Sequence, residues 1–308
     1  MADTTTYPSL DSGRAQRKRR LAGIALMCLG LVSLCCLDAT AKWINRTGDP
    51  LFTVWARYIG SVLLTLAFVN PATTPGVLKT KRPGVQALRS LILFVSTSLG
   101  FFALQHLPLV ENTAIVFATP LIVALLAGPL LGEWAGPHRL AAIGVGFIGI
   151  LVVTRPGLGT LHPAAFLALG SAVCYALYAI LTRMLAAHDS SATTLVYSGF
   201  AGVILMTPLL PWIWSTPVSG TAWVLLFATG VFGTLGHWLL ILAHRRAPAP
   251  ILSPFMYSQI IWTLSFGYIF FGDWPDQWTF LGVGIIIASG LYLLYRERVR
   301  HVDPGTSP

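Results

Sequence analysis

The residues able to do chemistry are few in this apolar sequence. Asp38 and Lys42 lie four apart in LDATAKW, near the end of an apolar run that begins at Leu21. Arg57 falls in the next apolar run, Glu111 opens a later one, and His237 sits inside GTLGHWLLILAHRR. Carboxylates, an imidazole and fixed cations offer proton transfer, ion pairing or, at the imidazole, contact with a substrate. Covalent or metal chemistry is poorly supplied: there is no HExxH, no GxSxG and no cluster of acids. Cys28, Cys35, Cys36 and Cys174 fall in apolar runs without a CxxC spacing and read as small packing residues. No metal site and no cofactor is expected.

The composition says what must hold these groups. Of 308 residues, 55% are hydrophobic and 10% charged, whereas a soluble domain carries roughly a quarter charged residues. Apolar runs at about 21–43, 51–70, 85–105, 108–131, 139–154, 162–184, 192–214, 221–243, 250–272 and 278–295 are each of bilayer-crossing length for a helix. They are too long and too little alternating for barrel strands. The expected fold is therefore an all-α integral membrane protein with ten transmembrane helices. Net charge is +9, but the bases sit between apolar runs rather than on a polar surface, so the partner is the lipid bilayer and not nucleic acid. With the N-terminus inside, all of the 20 Lys and Arg except Lys42, Arg46, Arg57 and Arg155 fall on the cytoplasmic side, which places both termini in the cytoplasm.

An offset of 140 aligns LPLVENTAIVFATPLIVALLAGPLLGEW with APAPILSPFMYSQIIWTLSFGYIFFGDW, matching Gly132 with Gly272, Glu133 with Asp273 and Trp134 with Trp274. An offset of 141 pairs Lys42 with Arg183. The chain divides into a basic tail at 1–20, a five-helix repeat at 21–154, a second at 162–295 and a tail at 296–308. Five is odd, so the second repeat is inverted, the architecture of many secondary transporters. These segments resemble the EamA branch of the drug/metabolite transporter superfamily. The resemblance implies a carrier in which the first four helices of each half surround a cavity and the fifth lies peripherally.

Several features have two readings. GVGFIG at 144–149 has the glycine spacing of a dinucleotide fingerprint but lacks its strand and acid. It reads as helix packing, with Ala142, Gly146 and Gly149 on one face repeated in part by Gly282 and Ser289. Pro120 and Pro254 interrupt spans and are candidate hinges or static kinks. Tyr175, Tyr178, Tyr257, Gln259 and Trp262, with Ser96 to Ser98, lie near the expected midplane, where they suit a flat or amphipathic solute or simply fill the core. His237 is a candidate for substrate or a coupling proton, or a buried structural histidine. Asp38 and Lys42 are either a helical pair reaching outward or part of an outer gate with Arg57 and Glu111.

The expected function is transport of a small organic metabolite across the inner membrane by alternating access, secondary active or facilitative. The resemblance favours an amino acid or related metabolite, with a riboflavin-like vitamin or a nucleoside derivative as alternatives. A membrane-embedded enzyme and a non-transporting helper subunit are the rival classes, and association through the fifth and tenth helices is open.

Overall fold

The computed structural model of the chain describes residues 10–132, 136–155, 162–185, 188–217, 219–247, 252 and 255–302. The helices are α1 (Leu10–Asn45), α2 (Pro50–Phe68), α3 (Pro83–His106), α4 (Leu109–Val116), α5 (Thr119–Leu131), α6 (Pro137–Thr154), α7 (Ala164–Leu185), α8 (Ser191–Met206), α9 (Leu210–Ile213), α10 (Gly220–Arg246), α11 (Ser258–Phe271) and α12 (Gln277–Val302). No strand occurs among the described residues. Seven segments there are long and apolar enough to cross a membrane, counting α4 with α5 as one and extending α8 to Ile213. Shorter apolar helices at Leu140–Thr154, Ser258–Phe271 and Gln277–Tyr292 occupy the other expected spans.

Local chemistry sets the helix ends. Asp49 accepts the N–H of Leu51 at 2.7 Å just before Pro50, Ser190 accepts from Thr193 at 3.0 Å, and Ser219 accepts from Ala222 at 3.2 Å. Each side-chain oxygen satisfies one of the N–H groups that a helix leaves unpaired at its start. Helices α5 and α11 end at Gly132 and Gly272, with φ of 74° and 71°, a left-handed turn that glycine enters without a Cβ clash. These are the two glycines aligned by the 140-residue offset.

Three boundaries differ from the sequence reading. Helix α1 begins at Leu10, so the basic stretch Arg14–Arg20 is its first turns, and α12 runs on to Val302; Arg, Lys and Gln are good helix formers once a span nucleates the helix. The run at 108–131 is two helices. Proline lacks an N–H for the carbonyl four residues back and crowds it. Accordingly α4 stops at Val116, Phe117 and Ala118 form a turn, and Pro120 lies in the first turn of α5, where its missing N–H is harmless. Pro254 lies outside the described residues.

The helices of the two repeats pair in two-fold correspondence. Helix α1 packs on α10 and α3 on α7, so the first span of each half meets the third span of the other. Likewise α2 packs on α8, α4 on α11 and α6 on α12, each span against its own counterpart. Small residues permit the closest crossings. A Cβ on Gly230 would lie 2.6 Å from the Cα of Gly60, and one on Gly282 would lie 2.6 Å from the Gly149 carbonyl oxygen. Ser289 Oγ also donates to the Ala142 carbonyl at 2.6 Å, so the small faces of the fifth and tenth spans meet within the chain. Leu63, Ile204, Val224 and Ile269 lie more than half exposed on outward faces, where lipid replaces water as solvent.

Candidate functional site

Helices α2 and α3 run in opposite directions, and each carries an arginine into the bundle. Arg57 lies seven residues after Pro50 and Arg89 six after Pro83, each about 10 Å along its helix. Helix α3 is held to α7 by a reciprocal bond in which Ser96 Oγ donates to the Ser171 carbonyl at 2.9 Å and Ser171 Oγ to the Ser96 carbonyl at 2.8 Å. That close crossing brings Tyr178 and Thr182 of α7 to Arg89. Arg89 Nε donates to Thr182 Oγ1 at 2.7 Å, Nη1 to the Thr194 carbonyl at 3.2 Å, and Nη2 to Tyr178 Oη and Ser198 Oγ at 2.9 Å each. The guanidinium also lies 4.5 Å from the Tyr178 ring centroid. This cation, only 1% exposed, is dressed entirely by neutral groups.

Arg57 is bonded more sparsely. Its Nη1 donates to Thr97 Oγ1 at 3.0 Å, its guanidinium lies 5.0 Å from the Tyr58 centroid, and its buried Nε has no hydrogen-bond partner. Gly233 of α10 lies against it, since a Cβ there would be in van der Waals contact with Arg57 Nε at 3.4 Å.

A cavity of about 640 Å³ lies beside both arginines. Its deep wall includes Arg57, Tyr58, Arg89, Tyr175, Tyr178 and His237, and Asp189, Ser191, His244 and Arg245 line the end where α7 meets α8. Tyr175 and Tyr178 have ring centroids 5.4 Å apart. At the mouth, Asp189 accepts from Thr80 Oγ1, from the Lys81 N–H at 3.0 Å and from Gln86 Nε2 at 2.9 Å. Slight burial disfavours its charge, but these donors outweigh that and hold the carboxyl below the usual carboxylate range.

The opposite end is packed and paired. Lys42 Nζ reaches the Leu107 carbonyl at 2.8 Å and Asp273 Oδ2 at 3.0 Å, joining α1 to the loop between α11 and α12. Asn45 donates to the Phe101 carbonyl at 3.2 Å and accepts from Thr53 Oγ1 at 2.7 Å, while Gln105 donates to the Asn45 carbonyl at 3.1 Å. Arg46 lies over Phe271 at 4.7 Å, and Arg155 pairs with Asp276 at 2.6 Å. Beneath the polar layer, Leu37, Ala41, Val54, Phe101, Leu104 and Leu109 form an apolar plug.

Of the residues singled out from sequence, Tyr175, Tyr178, His237 and Arg57 line the cavity, and Lys42 lies at the packed end. Glu111 is there too, within electrostatic reach of Arg155, Asp276, Lys42 and His162. Asp38 is one turn below Lys42 and within electrostatic reach of Arg57, without ion-pair contact to it or to Lys42. Tyr257, Gln259 and Trp262 do not line this cavity. Tyr257 meets Phe117 edge-on at 5.5 Å, the Gln259 carbonyl accepts from Thr263 Oγ1 at 2.8 Å, and Trp262 is 36% exposed. Ser98 bonds its own helix at the Phe94 carbonyl.

Three residues of these two regions are not singled out by the sequence, namely Arg89, Asp189 and Asp273. Arg89 reads as a cytoplasmic-side base because it lies near the start of its apolar run, and its depth along α3 is the signal that it enters the bundle. Asp189 and Asp273 stood in loops, and nothing local separates a loop acid that bridges two halves from one that is merely solvated. Thr97 lies within the Ser96 to Ser98 stretch expected near the midplane, though nothing local marks its hydroxyl as the partner of Arg57.

The sequence profile of the EamA-like transporter family matches residues 21–155 and again 162–296. The chain belongs to this family. The EamA-like chain is 29% identical over 283 residues to the S-adenosylmethionine uptake transporter of Rickettsia felis, covering 91% of this chain and 95% of that one. It is 27% identical over 285 residues to the riboflavin transporter of Vibrio cholerae, covering 90% and 94%. A crystal structure with 15% identity superposes with a TM-score of 0.63 over 91% of this chain and 99% of the other, a likeness of fold. This EamA-like protein is accordingly a multi-pass membrane transporter of small metabolites.

Proposed function

We propose that this EamA-like protein carries a small organic metabolite with a flat ring system across the inner membrane by alternating access. The observation that carries this reading is the cavity of about 640 Å³, lined at one end and stopped at the other by an apolar plug under an ion pair between the two halves. That volume lies within the roughly 300–1,000 Å³ usual for small-molecule sites. The basic-residue bias assigns the Asp189 end to the cytoplasm, so this conformation faces inward.

The amino-acid expectation finds no support in the relatives. Their names point toward S-adenosylmethionine and riboflavin, and both solutes carry a heteroaromatic ring that the Tyr175 and Tyr178 rings suit. The vitamin and nucleoside-derivative alternatives therefore take precedence. Opening the other end requires the Lys42–Asp273 contact to break and the plug to part, with the α4–α5 break before Pro120 as the hinge. His237, on the cavity wall, is the candidate to carry a coupling proton.

Flux into proteoliposomes tests this reading. Labelled riboflavin and S-adenosylmethionine, supplied with and without a proton gradient, should give saturable uptake of at least one solute, and Tyr175→Ala should raise its half-saturation concentration. Absence of saturable flux for both, or flux indifferent to Tyr175→Ala, would refute the proposal as stated.

A further inference from the structure

The cavity's charges do not balance. Three arginines line it, Arg57, Arg89 and Arg245, against one acid, Asp189, whose oxygens are occupied by Thr80, Gln86 and the Lys81 N–H. Deep in the wall, Arg57 and Arg89 have no carboxylate in ion-pair contact. The two differ in what they have left to give. Arg89 has spent its donors on Thr182, Thr194, Tyr178, Ser198 and, at 3.4 Å, Gln86. Arg57 is 7% exposed and has one directional bond, to Thr97, with its Nε unpartnered. A cation held at bilayer depth is disfavoured unless something compensates it, and a planar guanidinium with free edges matches an oxyanion. Asp38 is the acid within electrostatic reach of Arg57. It is not a cavity-lining residue and leaves the guanidinium's hydrogen-bonding edge open.

We propose that Arg57 is an oxyanion hook: the transported solute carries a carboxylate or phosphate that pairs with its guanidinium, while the fully bonded Arg89 supplies fixed positive potential alongside. This rests on the cavity being the substrate site and narrows the substrate class to organic oxyanions with a flat body. Thr97 is then a positioning residue, since its hydroxyl accepts from both Arg57 Nη1 at 3.0 Å and Tyr58 Oη at 3.1 Å and so fixes how the guanidinium faces the cavity.

Matched ligands separate the hook from the cavity. Equilibrium dialysis on the purified full chain would compare flavin mononucleotide with riboflavin, which lacks its phosphate, and S-adenosylmethionine with its decarboxylated form. The proposal expects the oxyanion-bearing member of at least one pair to bind roughly tenfold more tightly, as for a hydrogen bond to a charged group. The pair that discriminates tells phosphate from carboxylate. Arg57→Gln should remove the preference, bringing the two members of the pair to equal affinity. Should Arg57→Gln fail to fold, Ser61→Asp, one turn along α2 on the cavity wall, should pair with Arg57 and remove the preference in the same way.

Inorganic phosphate provides a readout independent of substrate identity. At constant ionic strength it should raise the melting temperature of the wild type, relative to chloride, more than that of either variant. Preference retained in both variants, neutral and anionic members bound equally by the wild type, or equal phosphate effects in all three proteins would overturn the hook. Tyr175→Ala weakening both members of a pair equally, in a protein without an oxyanion preference, would reject the hook while leaving the cavity as the substrate site.

Discussion

Both ends of this bundle are bridged between its halves, yet one is sealed and the other lies beside a cavity. At one end Lys42 of the first half holds Asp273 of the second at 3.0 Å. At the other, Asp189 of the second half holds Thr80, Lys81 and Gln86 of the first. Bridging alone therefore does not close an end. The difference lies one layer down, where Leu37, Phe101, Leu104 and Leu109 pack beneath Lys42, whereas Arg89, Thr182, Thr194 and Ser198 lie behind Asp189. Apolar side chains gain by excluding water, while a buried arginine and hydroxyl groups favour a polar, wetted wall. On this account the ion pair fixes the register of the seal and the plug makes it tight.

Breaking the pair should have the largest effect. Asp273→Asn leaves Lys42 with the Leu107 carbonyl and no carboxylate in ion-pair contact, Glu111 acting on it only at longer range. In a background lacking the native cysteines, Ala41→Cys, at a fully buried position, should then react roughly tenfold faster with an impermeant thiol reagent from outside, equivalent to about 1.4 kcal/mol of lost closed-state preference. The double exchange Lys42→Asp with Asp273→Lys should restore slow labelling. Unchanged labelling in Asp273→Asn would mean that the plug holds without the pair.

A second prediction concerns the scaffold shared by both ends. Gly60 and Gly230 bring α2 and α10 into backbone contact, so Gly230→Val must force them apart. The cost should be about 1–3 kcal/mol, seen as a lower melting temperature in detergent, and an unchanged value would disprove the tight crossing. A smaller loss, about 1 kcal/mol, is expected of Ser96→Ala or Ser171→Ala. The two should be non-additive because each serine donates to the other's carbonyl.

The smallest effect belongs to the cavity mouth. Asp189 has a depressed carboxyl pKa, so the stability it contributes is present above its unfolded value of about 3.9 and is lost as pH falls through the lower folded value. The melting-temperature gap between wild type and Asp189→Asn should therefore be constant from about pH 8 to 5 and shrink only below about 4. A gap that changed between pH 6 and 8 would assign the effect to another group.

Much of the fold is written in single-residue chemistry. The all-helical fold, the two repeats and the left-handed glycines at 132 and 272 all follow from patterns that survive without tertiary knowledge. The site was legible in depth and obscure in rotation. Tyr175, Tyr178 and His237 reach the cavity, whereas Tyr257, just before α11, and Gln259 and Trp262 on it stand at comparable expected depth and do not line it. An apolar span surrounded by lipid and protein carries little amphipathic stripe to say which face turns inward. The same limit applies to Lys42: Asp38 is one helical turn away, yet the lysine's partner is an acid 231 residues on, brought near only by the pairing of the halves.

The most direct test of alternating access is flux through a protein whose Lys42 end cannot open. Cysteines at positions 42 and 273, bridged by a short bifunctional thiol reagent in an otherwise cysteine-free chain, would lock that end. Uptake into proteoliposomes would be measured for whichever of riboflavin and S-adenosylmethionine the uncrosslinked protein carries. The account predicts that cross-linking abolishes flux while equilibrium binding, reached through the Asp189 end, is retained, and that a cleavable linker restores flux when cut. Undiminished flux through the locked protein would contradict it.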